Sequence, residues 1–536
     1  MSLATVRSCA LAGVTALPVT VEVHLGGGLP GMAIVGLPQS AVRESKDRVK
    51  AAIRHAGLQF PKVKVIVNLA PADLPKRGGR FDLPIALGIL IASGQLPETA
   101  TAGLVVVGEL GLGGELRAVE GSLSAARACR DAGDGLLVPT ANLAEAVRCP
   151  EVRVCGFGTL ADAVVALGRE GALPFSTPLE QAVDDTEASA GASAGSAAFR
   201  VPDLADVVGQ HAARRALEIA AAGGHNLLFC GPPGTGKSML ASRLPGILPP
   251  MDESEAGESA SVASVSHAGF EPSTWGVRPF RAPHHTVSGI ALVGGGSPPM
   301  PGEISLAHNG VLFLDELAEF KRPVLDVLRE PLESGRIALS RAARQTEFPA
   351  RFQLVAAMNP CPCGRYGDGT NACRCSLDVF TNYRGRLSGP FLDRIDLHVS
   401  LQREALPASA LGLANEDDRD DVVPAESSAT VRERVCIARH RQLARQGRAN
   451  AHLASDELLR LARLQPAARA CLEEASSALE LSLRVVHRTL ALARTIADLA
   501  GASEVAVAHA TEAMGYRQRP VALPEARWDA RAAASV

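Results

Sequence analysis

The octapeptide GPPGTGKS, Gly231 to Ser238, limits what this chain can fold into more than any other stretch. It follows the apolar run NLLFC and opens SMLASRLPGIL, so a buried strand turns through a glycine-rich loop directly into a helix. Gly231, Gly234 and Gly236 let backbone N–H groups approach phosphate oxygens, and the helix start adds partial positive charge. With Pro232, Pro233, Thr235 and the helix-opening Met239 they form the expected nucleotide cradle. Lys237 suits the β- and γ-phosphates of ATP, and the Ser238 hydroxyl suits Mg²⁺.

A second apolar run, GVLFLDELAEF (310–320), ends in two adjacent carboxylates. Asp315 suits the Mg²⁺ shell, and Glu316 suits an attacking water. A third, RFQLVAAMNP, ends at Asn359, which either meets the γ-phosphate or water, or merely caps a turn before Pro360. Three apolar strands of this kind predict a mostly parallel, buried sheet.

The chain divides at two polar seams, DDTEASAGASAGSAA (184–198) and ANEDDRDDVVPAESSA (414–429). The predicted organisation is an α/β block over 1–175, a linker over 176–199, a P-loop core over 200–403, an acidic linker over 404–429, a helical block over 430–516 and a tail over 517–536. With 536 residues and a net charge of −3, nucleic-acid contact must come from local basic patches. The longest apolar stretch, LPIALGILIASGQL (83–96), is too short to span a bilayer, so no membrane partner is expected. At the N-terminus Val19, Val21 and Val23 alternate with polar residues, which favours a strand over a signal peptide. The eleven cysteines are then reduced cytoplasmic thiols, and clusters among them point to metal. Cys361, Cys363, Cys373 and Cys375 form C-x-C-x₉-C-x-C, a candidate Zn²⁺ site set against four merely local thiols.

The strings RPFRAPHHTVSGIALVGGG, PGEISLAHNGVLFLDELAEF, NPCPCG, SGPFLDRIDLHV and ARTIADLAG, together with the P-loop, resemble the ComM/YifB family of Mg-chelatase-like AAA+ ATPases. The resemblance covers nearly the whole chain. It implies an AAA+ core with a helical lid, preceded by a Lon-protease-like, ribosomal-S5-like α/β domain. It also implies a homo-oligomeric ring, usually hexameric, and for ComM members DNA branch migration during natural transformation. Arg394 then falls at the arginine-finger position, touching the phosphate held by the neighbouring subunit; the alternative is that Asp393 and Asp396 hold it locally, and in either case they can orient it. Arg484, with Arg488 one turn on, falls at the sensor-2 position, approaching the nucleotide of its own chain and coupling hydrolysis to lid rotation; a solvated helix face is the alternative. In the first block, the Lon nucleophile and base positions fall on Arg80 and Leu123, so no peptidase is expected.

The stretch GRIALSRAARQTEFPARF (335–352) reads as a hairpin with Arg341 and Arg344 at its tip, either gripping branched or single-stranded DNA in a ring pore or lying solvated on the surface. His284 and His285 read as structural or substrate-facing, with no metal role, and Gly294 to Gly296 suggest a mobile loop. Two function classes survive: an ATP-driven DNA motor, and a chelatase-type ATPase remodelling a protein partner for metal insertion. A slowly hydrolysing nucleotide-gated scaffold is the weaker third.

Overall fold

The computed structural model describes residues 2–36, 40–169, 173–176, 201–296, 299–341, 344–367, 372–403 and 425–517. The first seam, residues 404–424 and everything after Arg517 lie outside this set.

The alternating valines near the N-terminus do form a strand. β1 (Ser2–Ala12) and β2 (Thr15–Gly26) pair antiparallel along their whole length, with Val19, Val21 and Val23 buried. They sit within a seven-stranded mixed sheet completed by β3 (Gly31–Val35), β4 (Lys64–Ala70), β5 (Leu104–Val106), β6 (Gly135–Pro139) and β7 (Val154–Phe157), in the order β3-β4-β2-β1-β5-β6-β7. The long apolar stretch is the helix Asp82–Ala92, buried on every side. No helix among the described residues is long and apolar enough to cross a membrane.

The P-loop core is a parallel five-stranded sheet. Its strands are β8 (Leu227–Cys230), β9 (Phe280–Arg281), β10 (Val311–Leu314), β13 (Gln353–Met358) and β14 (Leu397–Ser400), in the order β9-β10-β13-β8-β14. Helices cover both faces, which is why β8, β10 and, after Gln353, β13 are apolar. Parallel strands put all their carboxyl ends on one edge, where such sheets bind ligands. The segments following β8, β10 and β13 are the three motifs named above.

Between β10 and β13 stands the expected hairpin, β11 (Arg336–Arg341) with β12 (Arg344–Pro349). Ile337 and Phe348 anchor its base in the core. Arg341 and Arg344 face each other in register at its end, and their side chains are outside the described set. Gly294 and Gly295, expected in an open loop, instead pair with Pro301 and Met300 in a short antiparallel ladder.

The last block is helical, as predicted, and is welded to the core. Helices Ser428–Gln446 and Leu483–Leu499 pack on His211–Gly223. At that seam Asn450 donates to both Thr495 Oγ1 (3.0 Å) and Asp498 Oδ2 (2.9 Å), while His225 Nε2 meets Thr495 Oγ1 at 2.8 Å. The network is not fully satisfied, since the buried His225 Nδ1 makes no hydrogen bond and lies 3.7 Å from Asp396 Oδ2. Arg517, assigned from sequence to the tail, is buried and donates to the Ile395 carbonyl (2.7 Å).

The 78-residue interval between Lys237 and Asp315 holds the seat for the N-terminal block. Helix Glu253–Ser264 opens with a capping box in which Asp252 accepts from Glu255 N (2.8 Å), a cap worth about 1 kcal/mol. It packs on helix Ser122–Ala132, burying Ala260 among Cys9, Leu123 and Val138. Gly121 N donates to Ser264 O (3.2 Å), and Ser264 Oγ bonds Glu145. The β1–β2 turn touches the hairpin: a Cβ on Gly13 would lie 2.8 Å from the Glu347 carbonyl.

Candidate functional site

The site begins with the loop backbone. Gly234 and Gly236 have φ of +80° and +84°, and Gly231 passes so close to β14's end that an added Cβ would lie 2.6 Å from the Leu401 carbonyl. Glycine is therefore required here by strain and by space. The Lys237 ammonium folds back into this loop, donating to Gly231 O (2.6 Å), Pro232 O (2.8 Å) and Asn359 Oδ1 (3.1 Å). Burial pulls its pKa below the usual lysine range, so an anion entering the loop meets a cation held by neutral acceptors only.

Ser238 Oγ donates to Asp315 Oδ2 (2.6 Å), and Asp315 Oδ1 accepts from Glu316 N (2.9 Å). A hydroxyl and a carboxylate so placed are the hard oxygen donors that Mg²⁺ takes. Glu316 sits at φ +52°, an uncommon conformation that turns its half-exposed carboxylate away from the strand. There it meets a residue read from sequence only as structural or substrate-facing: His285 Nδ1 lies 2.9 Å from Glu316 Oε2. The His285 ring stacks against His284 (4.1 Å between centroids) and meets the Phe320 ring edge-on at 6.4 Å. The signal existed, since His285 follows β9, β10's parallel neighbour, but a two-residue strand is too short to recognise by pattern. Lys237, Ser238, Asp315, Glu316 and Asn359 thus lie together.

The cysteine loop abuts the same site. Gly364, at φ +73°, lies against the P-loop, where an added Cβ would be 2.7 Å from Pro233 Cδ. Tyr383 donates to the Asn359 carbonyl (3.3 Å). The sulfurs of Cys361, Cys363, Cys373 and Cys375 all lie within 4.8 Å of one another. Cys361 is 3.3 Å from Cys363 and 3.8 Å from Cys373, and Cys363 is 3.6 Å from Cys373. Tetrahedral Zn–S bonds of about 2.3 Å imply S···S edges of about 3.8 Å, so the four donors fit this ion.

Arg394 departs from the local reading. It is buried, and its guanidinium pairs with Glu333 Oε1 (2.9 Å) while donating to the Pro390 (2.5 Å) and Arg329 (3.2 Å) carbonyls. Asp396 does not hold it. That carboxylate accepts from Asn226 N (2.9 Å) and pairs with Arg488 (2.8 Å). Burial raises the Asp396 pKa, but Arg488, then His225 and Arg517, outweigh it and hold the group far below the carboxylate range.

The expectation that Arg484 reaches its own nucleotide is also corrected. Arg484 Nη2 binds the same Glu333 oxygen, at 3.0 Å. Arg394 precedes β14, and its carbonyl accepts from Asn226 Nδ2 (3.0 Å), just before β8. The P-loop follows β8, so the four residues of that strand, ~13 Å of extended chain, separate the two ends. Arg394 and Arg484 therefore share the edge of the core opposite their own P-loop. The docking of the last helical block, rather than local pattern, decides this.

Arg80 is buried with its guanidinium 4.0 Å from Cys9 Sγ, and Leu123 is core.

Comparison with known proteins agrees with this architecture. Residues 203–408 match the family described as magnesium chelatase, subunit ChlI; residues 21–142 match subunit ChlI of Mg-chelatase; residues 425–517 match the magnesium chelatase subunit ChlI C-terminal family. The chain is 49% identical over 519 residues to the competence protein ComM of Haemophilus influenzae, spanning 96% of this chain and 98% of that one. It is 47% identical over 517 residues to the protein YifB of Salmonella typhimurium, spanning 96% and 97%. A shorter match, 26% over 226 residues, covers 37% of this chain and 30% of the magnesium-chelatase 67 kDa subunit of Heliobacterium mobile. On sequence, sheet order and site together, the chain belongs to the ComM/YifB family of magnesium-chelatase-like AAA+ proteins.

Proposed function

We propose that this protein is a ring-forming ATPase, hexameric in its working state, that couples hydrolysis to remodelling of branched or single-stranded DNA in the cytoplasm. The observation that carries the ring is the shared Glu333 clamp, which holds Arg394 and Arg484 on the edge opposite their own P-loop. Two guanidiniums there serve a phosphate only if it belongs to the next subunit.

Lys237 exchanges its carbonyl partners for β- and γ-phosphate oxygens when ATP enters. Ser238 and Asp315 would hold Mg²⁺, which would supply charge neutralisation at the phosphates. Glu316 accepts the proton of the attacking water, and Asn359 orients that water or the γ-phosphate. The neighbour's Arg394 and Arg484 stabilise the charge that develops in the transition state, an effect worth roughly 10³–10⁵ in rate for such arginines. The four thiolates take a structural Zn²⁺ that stiffens the loop beside Asn359 and Pro233.

The DNA assignment is supported by the paired tip arginines, Arg341 and Arg344, and by the relative named as a competence protein. ComM-like branch migration in natural transformation or recombination is the specific form we propose. A second reading, an ATPase remodelling a protein partner for metal insertion, draws on the chelatase descriptions of all three matching families. ATP turnover with four-way DNA, with linear duplex and without DNA separates them. Stimulation by four-way DNA together with strand exchange supports the motor, and indifference to every DNA overturns it.

A further inference from the structure

The far end of the N-terminal block carries charge that the nucleotide site does not use. Residues 40–64 hold seven lysines and arginines against two carboxylates, Glu44 and Asp47, a local +5 in a chain of net −3. Arg48 is spent on the buried Asp82 (2.7 Å). Lys50, Arg54, Lys62 and Lys64 are exposed, and none has a carboxylate partner among the described residues. Some exposed arginines elsewhere do find a carboxylate: Arg351 with Glu258, Arg386 with Glu319, Arg434 with Glu426.

These cations meet at one end of the sheet. The Lys50 ammonium sits 5.9 Å from the Phe60 ring, bringing the end of helix Ser40–His55 against the connector that carries Lys62. Lys64 opens β4 and pairs in register with Gly26 on one side and Gly31 on the other. Those glycines bound the loop GGGLPG, where Leu29 is 89% exposed and an added Cβ on Gly27 or Gly28 would meet nothing. A smooth backbone flanked by unpaired cations lets a phosphate strand approach closely. Glu98, three residues beyond the Gln95 that clasps Gln59, leaves the balance positive.

Position adds a second argument. β2 starts beside the Gly13 turn that rests on the hairpin and ends at Gly26. Its 12 residues extend ~36 Å, about one turn of a DNA duplex. We infer that this end of the N-terminal block is a second nucleic-acid contact, gripping the phosphate backbone of duplex DNA outside the ATPase core. Its use in remodelling rests on the function proposed above, while binding itself requires no hydrolysis.

The test uses the full-length protein with Lys50→Ala, Arg54→Ala, Lys62→Ala and Lys64→Ala combined, and a fluorescent 40-base-pair duplex titrated at several salt concentrations. Losing up to four phosphate contacts lowers the slope of log affinity against log salt by about 3 and weakens binding at least tenfold. Basal ATP turnover stays at the parent value, since none of the four touches the nucleotide site, and arginine at the three lysine positions restores the slope. An unchanged slope, or a parent that binds no duplex, overturns the inference. If the alanine variant loses duplex binding while DNA never stimulates the parent's turnover, the contact stands and the motor reading falls. If stimulation persists with an unchanged slope, the reverse holds.

Discussion

Arg394 and Arg484, ninety residues apart in sequence, are held by one oxygen: Glu333 Oε1 lies 2.9 Å from the first guanidinium and 3.0 Å from the second. Two like charges this close repel, and the carboxylate between them is what makes the pair stable. Burial lowers the pKa of Arg394 against the pull of Glu333, so the clamp matters most for that residue. Glu333→Ala should therefore lower turnover at saturating ATP by tenfold or more while leaving nucleotide affinity of the P-loop near the parent value. Steady-state rates and fluorescent-nucleotide binding measure the two separately; equal effects on both would place Glu333 elsewhere in the mechanism.

His285 occupies one oxygen of Glu316, the carboxylate proposed to take the water's proton. Removing the imidazole frees Glu316, so His285→Ala should raise basal ATP turnover a few-fold and shrink the further stimulation by DNA. A rate that drops by tenfold instead would mean His285 orients the base rather than restraining it.

The four sulfurs predict one zinc per chain in purified protein, released by a thiol-reactive reagent. Cys363→Ser with Cys375→Ser should abolish the metal and raise the KM for ATP, because Gly364 packs against Pro233 in the P-loop. Metal analysis with nothing bound, or an unchanged KM in a zinc-free variant, counts against this coupling.

Burial, with Arg517 nearby, pulls the His398 imidazole down to about 4, and its Nε2 lies buried with no hydrogen-bond partner. An unfolded histidine titrates near 6.5, so between these values the unfolded chain takes a proton that the folded chain refuses. The stability from this group is complete above pH 6.5 and is lost as pH falls toward 4, at up to about 1.4 kcal/mol per pH unit. Asp396 loses its share only below about pH 4, where free carboxylates protonate. Thermal unfolding between pH 7 and pH 5 should show the decline, and His398→Leu should lessen it without abolishing it, because burial also pulls His452 down to about 4. A parent whose Tm is level over that range contradicts the assignment.

Much of the site was legible because each part ends an apolar strand. Leu227–Cys230, Val311–Leu314 and Gln353–Met358 are buried on both faces, so their motifs gather at one edge. The hairpin and the N-terminal strand pair could be read for a related reason, since alternation marks a half-buried sheet face. Glu333 could not be read: it lies on a four-residue helix, and its two arginines arrive from far along the chain. The direction of Arg484 was misjudged because it depends on where helix Leu483–Leu499 docks, which the buried contacts of Asp396, Asn450 and Asp498 decide. Those partners are joined across long sequence separations that no local period records.

The central claim is that each ATP is completed by arginines from the adjoining subunit, and mixing two inactive variants tests it most directly. Lys237→Ala destroys the cradle but keeps both arginines, whereas Arg394→Ala with Arg484→Ala keeps the cradle. Equimolar rings should regain ATP turnover, since about one interface in four then pairs an intact cradle with an intact clamp. If the mixture stays as inactive as either variant alone while forming mixed rings, the arginines serve their own chain and the account is wrong.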